Sequence, residues 1–528
     1  MRVFNRNRSV QQMAAIVSIS LVAGCSLLGE ESSDDAGPIV VGTTSAPSTL
    51  DPAAAWDGSW ELFRNVYQTL LSYPTGATTP QPDAAECVFT DSTNRTYKCV
   101  LREGLTFSNG DKLDAKAVKY SIDRIRAINA RTGPSGLLGT LESVQANGER
   151  EVVFRLNKAD ATFPFVLATP GMSIVDPDDY PAKSLRKDDG IVGSGPYRLQ
   201  SYEEGKQAVL VRNDNYKGFA ERKNNAVTIR YFQDSGKMVK ALRARDIDIT
   251  YQGLAADDII DLGGKGDVNE GLQLIEAAGS NINYLVFNPK DPWSNKLAVR
   301  RAIAQVVDRA AIAHKVYKDT VDPLYSMVPA GLAGHTTGFF DSFGDPDAKK
   351  ARQILKDAGI NETVPLTFWY TSDRYGSDTA LEFKELKSQL EASGLFSVTL
   401  KNRPWNSYVQ GYEKGEYPVF GRGWAPDFPD ADNFIAPFVG DQNALGTPYP
   451  AKEITQVLLP RSREVSDRAN VAKDFEEAQQ ILVRDARLLP LWQGKQYIAS
   501  SEDVSGGERA LDPSTIMMVW ELSRKTSW

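Results

Sequence analysis

The second half of the chain alternates strand-like and helix-like segments in strict order. Runs rich in β-branched and aromatic residues, at Leu366–Tyr370, Val398–Lys401 and Tyr417–Gly421, are separated by the helical patterns Thr379–Ala392 and Trp405–Lys414. Successive strand, helix, strand units predict a parallel sheet with right-handed crossovers. The fold class predicted from this pattern is α/β.

The ends of these three strands predict where a binding site should lie. Ligands of open α/β sheets bind beyond the carboxyl ends of the parallel strands. Tyr375 follows the first strand, Trp405 follows the second, and residues 422–430 follow the third. Aromatic rings, an arginine and several carboxylates are therefore expected along one rim. Each aromatic residue taken alone is equally consistent with a core position at the sheet edge.

The first half of the chain is predicted to be α+β with substantial sheet. A strand is expected at Ile39–Thr43, a helix near Asp57–Leu71, and a second helix opened by Asp114 as its N-cap. Several short strands follow as far as residue 276. Since 528 residues exceed what a single hydrophobic core organises, we expect two or more lobes.

Two cysteines in the first half flank a turn sequence symmetrically. Cys87 and Cys99 stand at equal distances from Thr93, so a hairpin centred there would place them opposite one another. Directly opposed strand residues are close enough for a disulfide, which would persist in an exported chain. Two free buried thiols remain the alternative.

The N-terminus has the pattern of a secretory signal. Three arginines within the first eight residues precede the apolar run Met13–Ala23, which ends next to Cys25. That run is too short to span a bilayer, which takes about 20 residues. Residues 21–25 resemble the lipobox of bacterial lipoproteins, which implies a lipidated Cys25 that anchors the protein without spanning the membrane. A signal peptide cut elsewhere, with an incidental cysteine, is the alternative.

Composition argues against several other classes. The chain is acidic, with 60 Lys and Arg against 68 Asp and Glu, so a nucleic-acid partner is not expected. An exported hydrolase is the main rival, but His314 and His335 lack a partner motif and no nucleophile elbow, phosphate loop or dinucleotide fingerprint occurs. Asp427, Asp430 and Asp432 lack the spacing of a calcium loop. We therefore predict no catalytic residues, no metal and no cofactor.

Five parts of the chain carry a recognisable pattern, and the sharpest is Gly423–Phe434, with the sequence Gly-Trp-Ala-Pro-Asp-Phe-Pro-Asp-Ala-Asp-Asn-Phe. The other four parts occur in order at Ser48–Pro52 with Arg64–Leu71, at Tyr97–Asp111, at Gly193–Tyr197, and at Tyr284–Asn288 with Leu297–Arg309. Together they resemble the peptide, dipeptide and nickel group of extracytoplasmic solute-binding proteins, family 5.

The resemblance implies a periplasmic-binding-protein clamshell of type II, with two α/β lobes and an extra small domain in the first lobe. The expected divisions are a signal peptide over 1–24, a lipidated cysteine and tether over 25–38, a discontinuous first domain over 39–55, 190–280 and 490–528, a small domain over 56–189, and a second lobe over 281–489. The implied function is that of a substrate-binding lipoprotein, which captures a short peptide and delivers it to the permease of an ABC importer.

The resemblance also implies roles for individual residues. Asp427 is expected to pair with the α-amino group of a peptide, while Trp405 and Trp424 correspond to tryptophans of the cleft. Gly423 belongs to the same loop.

The chain departs from one oligopeptide-binding pattern at two positions. Gly421 stands where that pattern has an arginine, so that Arg422 is its neighbour, and Tyr375 stands where the pattern has a histidine. Arg422 and Tyr375 are kept among the predicted ligand-binding residues, but the partner of the peptide's carboxylate end stays open.

The ligand itself also stays open at this level. Members of the family hold peptides, nickel complexes, heme or oligosaccharides, and the same fold serves anchored receptors that signal without transport. The expected location is the extracytoplasmic face of a bacterial cell membrane, and the expected oligomeric state is a monomer.

Overall fold

The computed structural model describes residues 37–264, 269–376, 378–441 and 443–525. The predicted signal peptide, Cys25 and nearly all of the predicted tether lie outside the described residues. The strands are β1 Ile39–Thr43, β2 Leu71–Ser72, β3 Gln81–Pro82, β4 Ala85–Phe89, β5 Thr96–Leu101, β6 Leu141–Asn147, β7 Glu151–Leu156, β8 Tyr197–Glu203, β9 Gln207–Arg212, β10 Ala226–Tyr231, β11 Ile249–Thr250, β12 Leu272–Ala277, β13 Ile282–Phe287, β14 Val321–Pro323, β15 Val364–Tyr370, β16 Phe396–Asn402, β17 Val419–Trp424, β18 Leu488–Gly494, β19 Gln496–Ser501, β20 Val504–Ser505 and β21 Ser523–Arg524.

Helices cover the sheets formed by these strands. They are α1 Ser59–Val66, α2 Ala115–Ile128, α3 Phe163–Leu167, α4 Ser235–Arg243, α5 Ala256–Gly263, α6 Leu297–Val306, α7 Arg309–Lys315, α8 Gly338–Phe343, α9 Ala348–Asp357, α10 Ser372–Tyr375, α11 Thr379–Ala392, α12 Trp405–Glu413, α13 Leu459–Arg463 and α14 Ala472–Asp485. Within the described part of the chain, no helix is both long and apolar enough to cross a bilayer.

The largest sheet has seven strands in the order β12-β19-β11-β1-β10-β9-β8. Its central strand β1 is rich in β-branched residues and runs parallel to both β10 and β11. Ile39 and Val41 are each 1% exposed, so alternate positions of β1 face one core. The carboxyl ends of these three parallel strands meet at one edge of this sheet.

A six-stranded sheet has the order β14-β18-β13-β17-β15-β16. The three strands predicted from the alternating pattern, β15, β16 and β17, do pair in parallel. The sheet as a whole is mixed, because β13 pairs antiparallel to β17 and β18, and β14 pairs antiparallel to β18. Pattern alone could not show this, since buried parallel and antiparallel strands have similar apolar sequences.

A four-stranded antiparallel sheet, β4-β5-β7-β6, and helix α2 share a third core. Asp114 caps α2 as predicted, since one side-chain oxygen accepts hydrogen bonds from Lys116 N at 2.9 Å and Ala117 N at 3.0 Å. Cys87 pairs with Cys99 across β4 and β5, and a disulfide joins them as predicted.

Buried ion pairs fasten this four-stranded part to the seven-stranded sheet. Arg124 Nη1 lies 2.7 Å from Asp51 Oδ1, and Arg64 Nη2 lies 3.0 Å from Asp512 Oδ2, with all four side chains at most 4% exposed. The same Arg64 Nη2 donates at 3.0 Å to the carbonyl of Ala168, which packs in the four-stranded core. Breaking a buried pair on one side leaves an unpaired charge, which costs several kcal/mol. The two sheets are therefore expected to move as one body.

The chain passes between the seven-stranded and six-stranded sheets in two neighbouring segments. β12 leads into β13 and β18 leads into β19, and these two connections are bonded to each other. Gly494 N donates to Asn281 O at 2.8 Å, and Gln493 Nε2 donates to Gly279 O at 2.6 Å. The second passage lies between the end of β18 at Gly494 and the start of β19 at Gln496.

Candidate functional site

The predicted binding loop leaves the six-stranded sheet at the end of β17. The sequence predicted that this strand ends at Gly421, but β17 continues through Arg422 and Gly423 to Trp424. The added residues of β17 pair with the antiparallel strand β13, where Tyr284 stands opposite Arg422. These residues are therefore held by regular strand geometry.

Asp427 lies in the loop after β17 and is 5% exposed. Its Oδ1 accepts a hydrogen bond from the indole Nε1 of Trp56, and its Oδ2 accepts one from Asn433 Nδ2 at 2.8 Å. No lysine or arginine of the described residues forms an ion pair with it. Burial raises the pKa of Asp427 to about 6, against the opposing effect of the Asn433 and Trp56 hydrogen bonds.

Asn433 organises the loop around Asp427. Its Oδ1 accepts from Asp427 N at 2.9 Å and from the Trp424 indole Nε1 at 3.2 Å. The ring of Trp424 meets Phe438 edge to face, with centroids 5.1 Å apart. One amide side chain thereby fixes both the predicted carboxylate and one of the predicted tryptophans.

The other two carboxylates of the loop are already paired. Arg463 meets both oxygens of Asp432 at 2.8 Å, and Arg468 meets both oxygens of Asp430 at 2.7 and 3.0 Å. Such two-point pairs are strong and directional. Asp430 and Asp432 therefore brace the loop, and Asp427 is the acid of this loop that has no cation.

Tyr375 and Trp405 come together beyond the ends of β15 and β16, as predicted. Their rings meet edge to face with centroids 5.7 Å apart, and the Arg374 guanidinium lies 5.7 Å from the centre of the Trp405 ring. Gly423 borders this group, because a Cβ at its position would lie 2.8 Å from the Tyr375 ring. Only a residue without a side chain fits against Tyr375 here.

Arg422 points to the opposite face of β17 from Gly423. Its guanidinium lies 4.4 Å from the centre of the Tyr412 ring, and Nη1 donates to Ala444 O at 2.6 Å. The side chain is 6% exposed. Its contacts are thus with helix α12, which begins at Trp405, and with the 444 loop.

Two residues from the seven-stranded side were missed by sequence reasoning. Trp56 reaches Asp427 across 371 positions of sequence, and it stacks on Trp60 with ring centroids 6.3 Å apart. Glu61, in α1, has an Oε2 that is buried without a hydrogen-bond partner among the described residues. Burial and then the charge of Asp57 raise the pKa of Glu61, while Arg374 opposes them. No local motif marks either residue.

One group of carboxylates could hold a cation. Oxygens of Asp111, Asp176 and Asp178 lie within 4.8 Å of one another near the four-stranded sheet. Asn109 Nδ2 already donates to Asp111 at 2.8 Å and to Asp176 at 2.9 Å. The group lies apart from the loop that contains Asp427.

Residues 79–446 match the model of bacterial extracellular solute-binding proteins, family 5 (middle region). The chain belongs to this family. A curated relative of this family 5 protein is the probable D,D-dipeptide-binding periplasmic protein DdpA of Escherichia coli K12. The two are 27% identical over 484 residues, covering 89% of this chain and 90% of the relative.

Solved structures of similar proteins share the fold of this family 5 chain. DppA from Helicobacter pylori, in complex with the peptide STSA, has a TM-score of 0.79 at 23% identity and covers 93% of this chain and 98% of its own. The dipeptide-binding protein of Pseudoalteromonas sp. SM9913, in complex with Met-Leu, has a TM-score of 0.80 at 19% identity. The match covers 93% of this chain and 100% of that protein's chain. The predicted α/β fold with two lobes is thereby confirmed.

Proposed function

We propose that this family 5 protein captures a short peptide between its two lobes and delivers it to the membrane permease of an ABC importer. The observation that carries the proposal is the state of Asp427, a buried carboxylate with two neutral donors and no cation. A buried charge is stable only when it is paired, so this site favours a ligand that brings a positive group. The free amino end of a peptide is such a group.

The division of the chain into lobes is part of the proposal. We assign the seven-stranded and four-stranded sheets to the first lobe, because they are joined by the buried pair of Arg124 with Asp51 and by Arg64, which bonds to both Asp512 and the carbonyl of Ala168. The six-stranded sheet with its helices is the second lobe. Trp56 and Asp427 then stand on opposite sides of the cleft.

The carboxylate end of the peptide needs a cation, and Arg374 is suited to it. Arg374 follows β15, lies over the Trp405 ring and has no ion pair with a carboxylate of the described residues. Arg422, by contrast, is buried beneath α12. We therefore place Arg374, with Tyr375 and Trp405, on the side of the cleft that meets the rest of the peptide.

The remaining features of the proposal concern location and chemistry. Members of this family are solute-binding proteins, and we propose binding without catalysis. We further propose that the chain is held by a lipid at Cys25 on the outer face of the cell membrane as a monomer.

Substitution of Asp427 tests the proposed function. Peptides that co-purify with the native protein are identified by mass spectrometry, resynthesised and titrated by calorimetry. Asp427→Asn should raise Kd by roughly 30-fold to several-thousand-fold, since losing one partner of a buried charge pair costs ~2 to 5 kcal/mol. Glu416→Gln, which neutralises an exposed carboxylate of the same lobe, should leave Kd unchanged.

N-acetylated forms of the same peptides provide the decisive control. Acetylation removes the ammonium group, so native protein and Asp427→Asn should bind the acetylated peptides with similar Kd. If Asp427→Asn melts at a lower temperature and binds free and acetylated peptides alike, Asp427 stabilises the loop and does not bind the amino end.

A further inference from the structure

The tip of the disulfide-closed hairpin lies against the second lobe. The turn between β4 and β5 holds Asn94, which is 3% exposed although the neighbouring turn residues are exposed. Its backbone has φ +52°, in the left-handed region that asparagine tolerates. The conformation of the turn therefore directs the Asn94 amide toward the second lobe.

Four hydrogen bonds join this part of the first lobe to the end of α13 and the segment that follows it, the longest being from Asn94 Nδ2 to Arg463 O at 3.5 Å. Asn94 Nδ2 donates to Glu464 O at 2.9 Å, and Asn94 Oδ1 accepts from Ser466 Oγ at 2.9 Å. Beside them, Ala161 N donates to Arg463 O at 2.8 Å. Both hydrogen-bonding groups of the Asn94 amide are thus satisfied by the opposite lobe.

The two sides of this contact belong to different bodies. The hairpin is part of the four-stranded sheet, which is fastened to the seven-stranded sheet by buried ion pairs. Helix α13 packs in the core of the second lobe, where Leu459 joins a cluster with Phe475 and Leu482. Opening the cleft must therefore separate Asn94 from Ser466.

On the side of the second lobe, this contact is connected by hydrogen bonds to the loop that contains Asp427. The carbonyl of Arg463 accepts from Ala161, and its guanidinium holds Asp432 by two hydrogen bonds. Asp432 precedes Asn433, which in turn holds Asp427. Phe428 of the same loop also meets Phe165 of the four-stranded part, with ring centroids 6.0 Å apart. The segment that forms hydrogen bonds with Asn94 therefore also stabilises the loop that contains Asp427.

We infer that the four-stranded small domain is a catch, which engages the second lobe through Asn94 when the cleft closes and slows its reopening. The contacts of Asn94 suit a reversible catch, because they are neutral hydrogen bonds, each of which adds little net stability in water. The inference rests on the proposed lobes but not on the peptide nature of the ligand.

Asn94→Gly is the variant that tests the catch. Glycine suits the positive φ and removes only the amide, so the turn should persist. Asn129→Gly is a matched control, since Asn129 also has a positive φ, at 44°, and caps α2 in the same domain. The change leaves in place the nearby exposed ion pair of Arg131 with Glu413 of the second lobe. Ser466→Ala removes the partner from the opposite side.

Two measurements are made on the full mature chain. With a resynthesised co-purifying peptide, Asn94→Gly and Ser466→Ala should each raise the dissociation rate and Kd about three- to tenfold, with an unchanged association rate. Without peptide, small-angle scattering should give a larger mean radius of gyration for both variants than for native protein. Asn129→Gly should match the native protein in both measurements.

The double variant provides a further check. Since both single changes remove a shared hydrogen bond, their combined effect on dissociation should be smaller than the product of the two effects. Unchanged dissociation and radius of gyration in Asn94→Gly, or equal changes in Asn129→Gly, would overturn the catch. If peptides fail to bind at all, the proposed function fails, while the scattering comparison still decides the catch.

Discussion

At the scale of single residues, Asp427 combines deep burial with purely neutral partners. Trp56 and Asn433 each donate one hydrogen bond, and these do not offset the loss of solvation, so the pKa stands near 6. A positive ligand group would stabilise the ionised form and lower this pKa. Binding and protonation at Asp427 are therefore linked.

The linkage predicts how affinity depends on pH. Affinity should be highest near pH 7 and fall by up to tenfold per unit below pH 6, because the protonated carboxyl must lose its proton before it pairs with an ammonium. It should fall again above about pH 8, where the α-amino group of the peptide loses its proton. Calorimetry at pH 6 in buffers of different ionisation enthalpy should detect proton release on binding.

Two variants distinguish the titration of Asp427 from that of other groups in this experiment. Asp427→Asn should bind weakly, with no pH dependence in this range. Asp83 also has its pKa raised to about 6 by burial, but it lies in the first lobe, bonded to Gln68 and Tyr216, so Asp83→Asn should keep the native pH profile of binding. A flat native profile between pH 5 and 7 would contradict the assignment of Asp427 to the amino end.

The sequence located some of these residues and not others. Asp427 and Trp424 stand in a continuous stretch that resembles the family, so their nearness was predictable. The role of Asn433, in the same stretch, appears only once its amide is seen to hold both of them. Trp56 could not be found, because its contact with Asp427 joins positions 371 residues apart.

At the scale of elements, the hairpin of β4 and β5 was predicted more fully than the six-stranded sheet. The symmetric placing of Cys87 and Cys99 about a turn determines strand register, because residues at equal distances from the turn face each other. The sheet pairing of β13 and β18 depends on a partner about 200 residues away, which local periodicity does not contain. β17 extends beyond its predicted end at Gly421 for the same reason, since its added residues pair with the distant strand β13.

Removing the disulfide should weaken this hairpin selectively. Cys87→Ser combined with Cys99→Ser should lower the stability of β4 and β5 by about 3 kcal/mol, as the chain-entropy model gives for a loop of this size. Hydrogen exchange of the β5 amides should accelerate, while exchange in the six-stranded sheet should not change. Equal protection of β5 with and without the disulfide would show that strand pairing alone holds the hairpin.

At the scale of the whole molecule, family membership and the two-lobed fold were predictable from five short stretches in order. The contacts between the lobes were not predictable, since Asn94 and Trp56 carry no pattern that identifies their partners. The domain boundaries, including the passage near residue 490, stay predictions. So does attachment to a membrane.

Membrane attachment is tested in a bacterial host that expresses the chain with its N-terminal segment. Cys25→Ala should move the protein from the membrane fraction into the periplasm or medium, because acyl chains contribute ~0.8 kcal/mol per buried methylene and the variant would have none. The mass of the mature N-terminus should show the lipid in the native protein. Membrane partitioning that is unchanged in Cys25→Ala, with an unmodified native N-terminus, would exclude the anchor.

The paired passages between the sheets have a mechanical consequence. Because β12–β13 and β18–β19 cross side by side and are bonded through Gly494 and Asn281, they form a two-stranded ribbon. A Cβ at Gly279 would lie 2.3 Å from Gly494 O, so the strands touch at the crossing. Such a ribbon flexes across its thin direction far more easily than it shears. We therefore expect closure of the proposed cleft to be confined to nearly one direction of motion, so that a ligand need not offset the entropy of orienting two freely tumbling lobes.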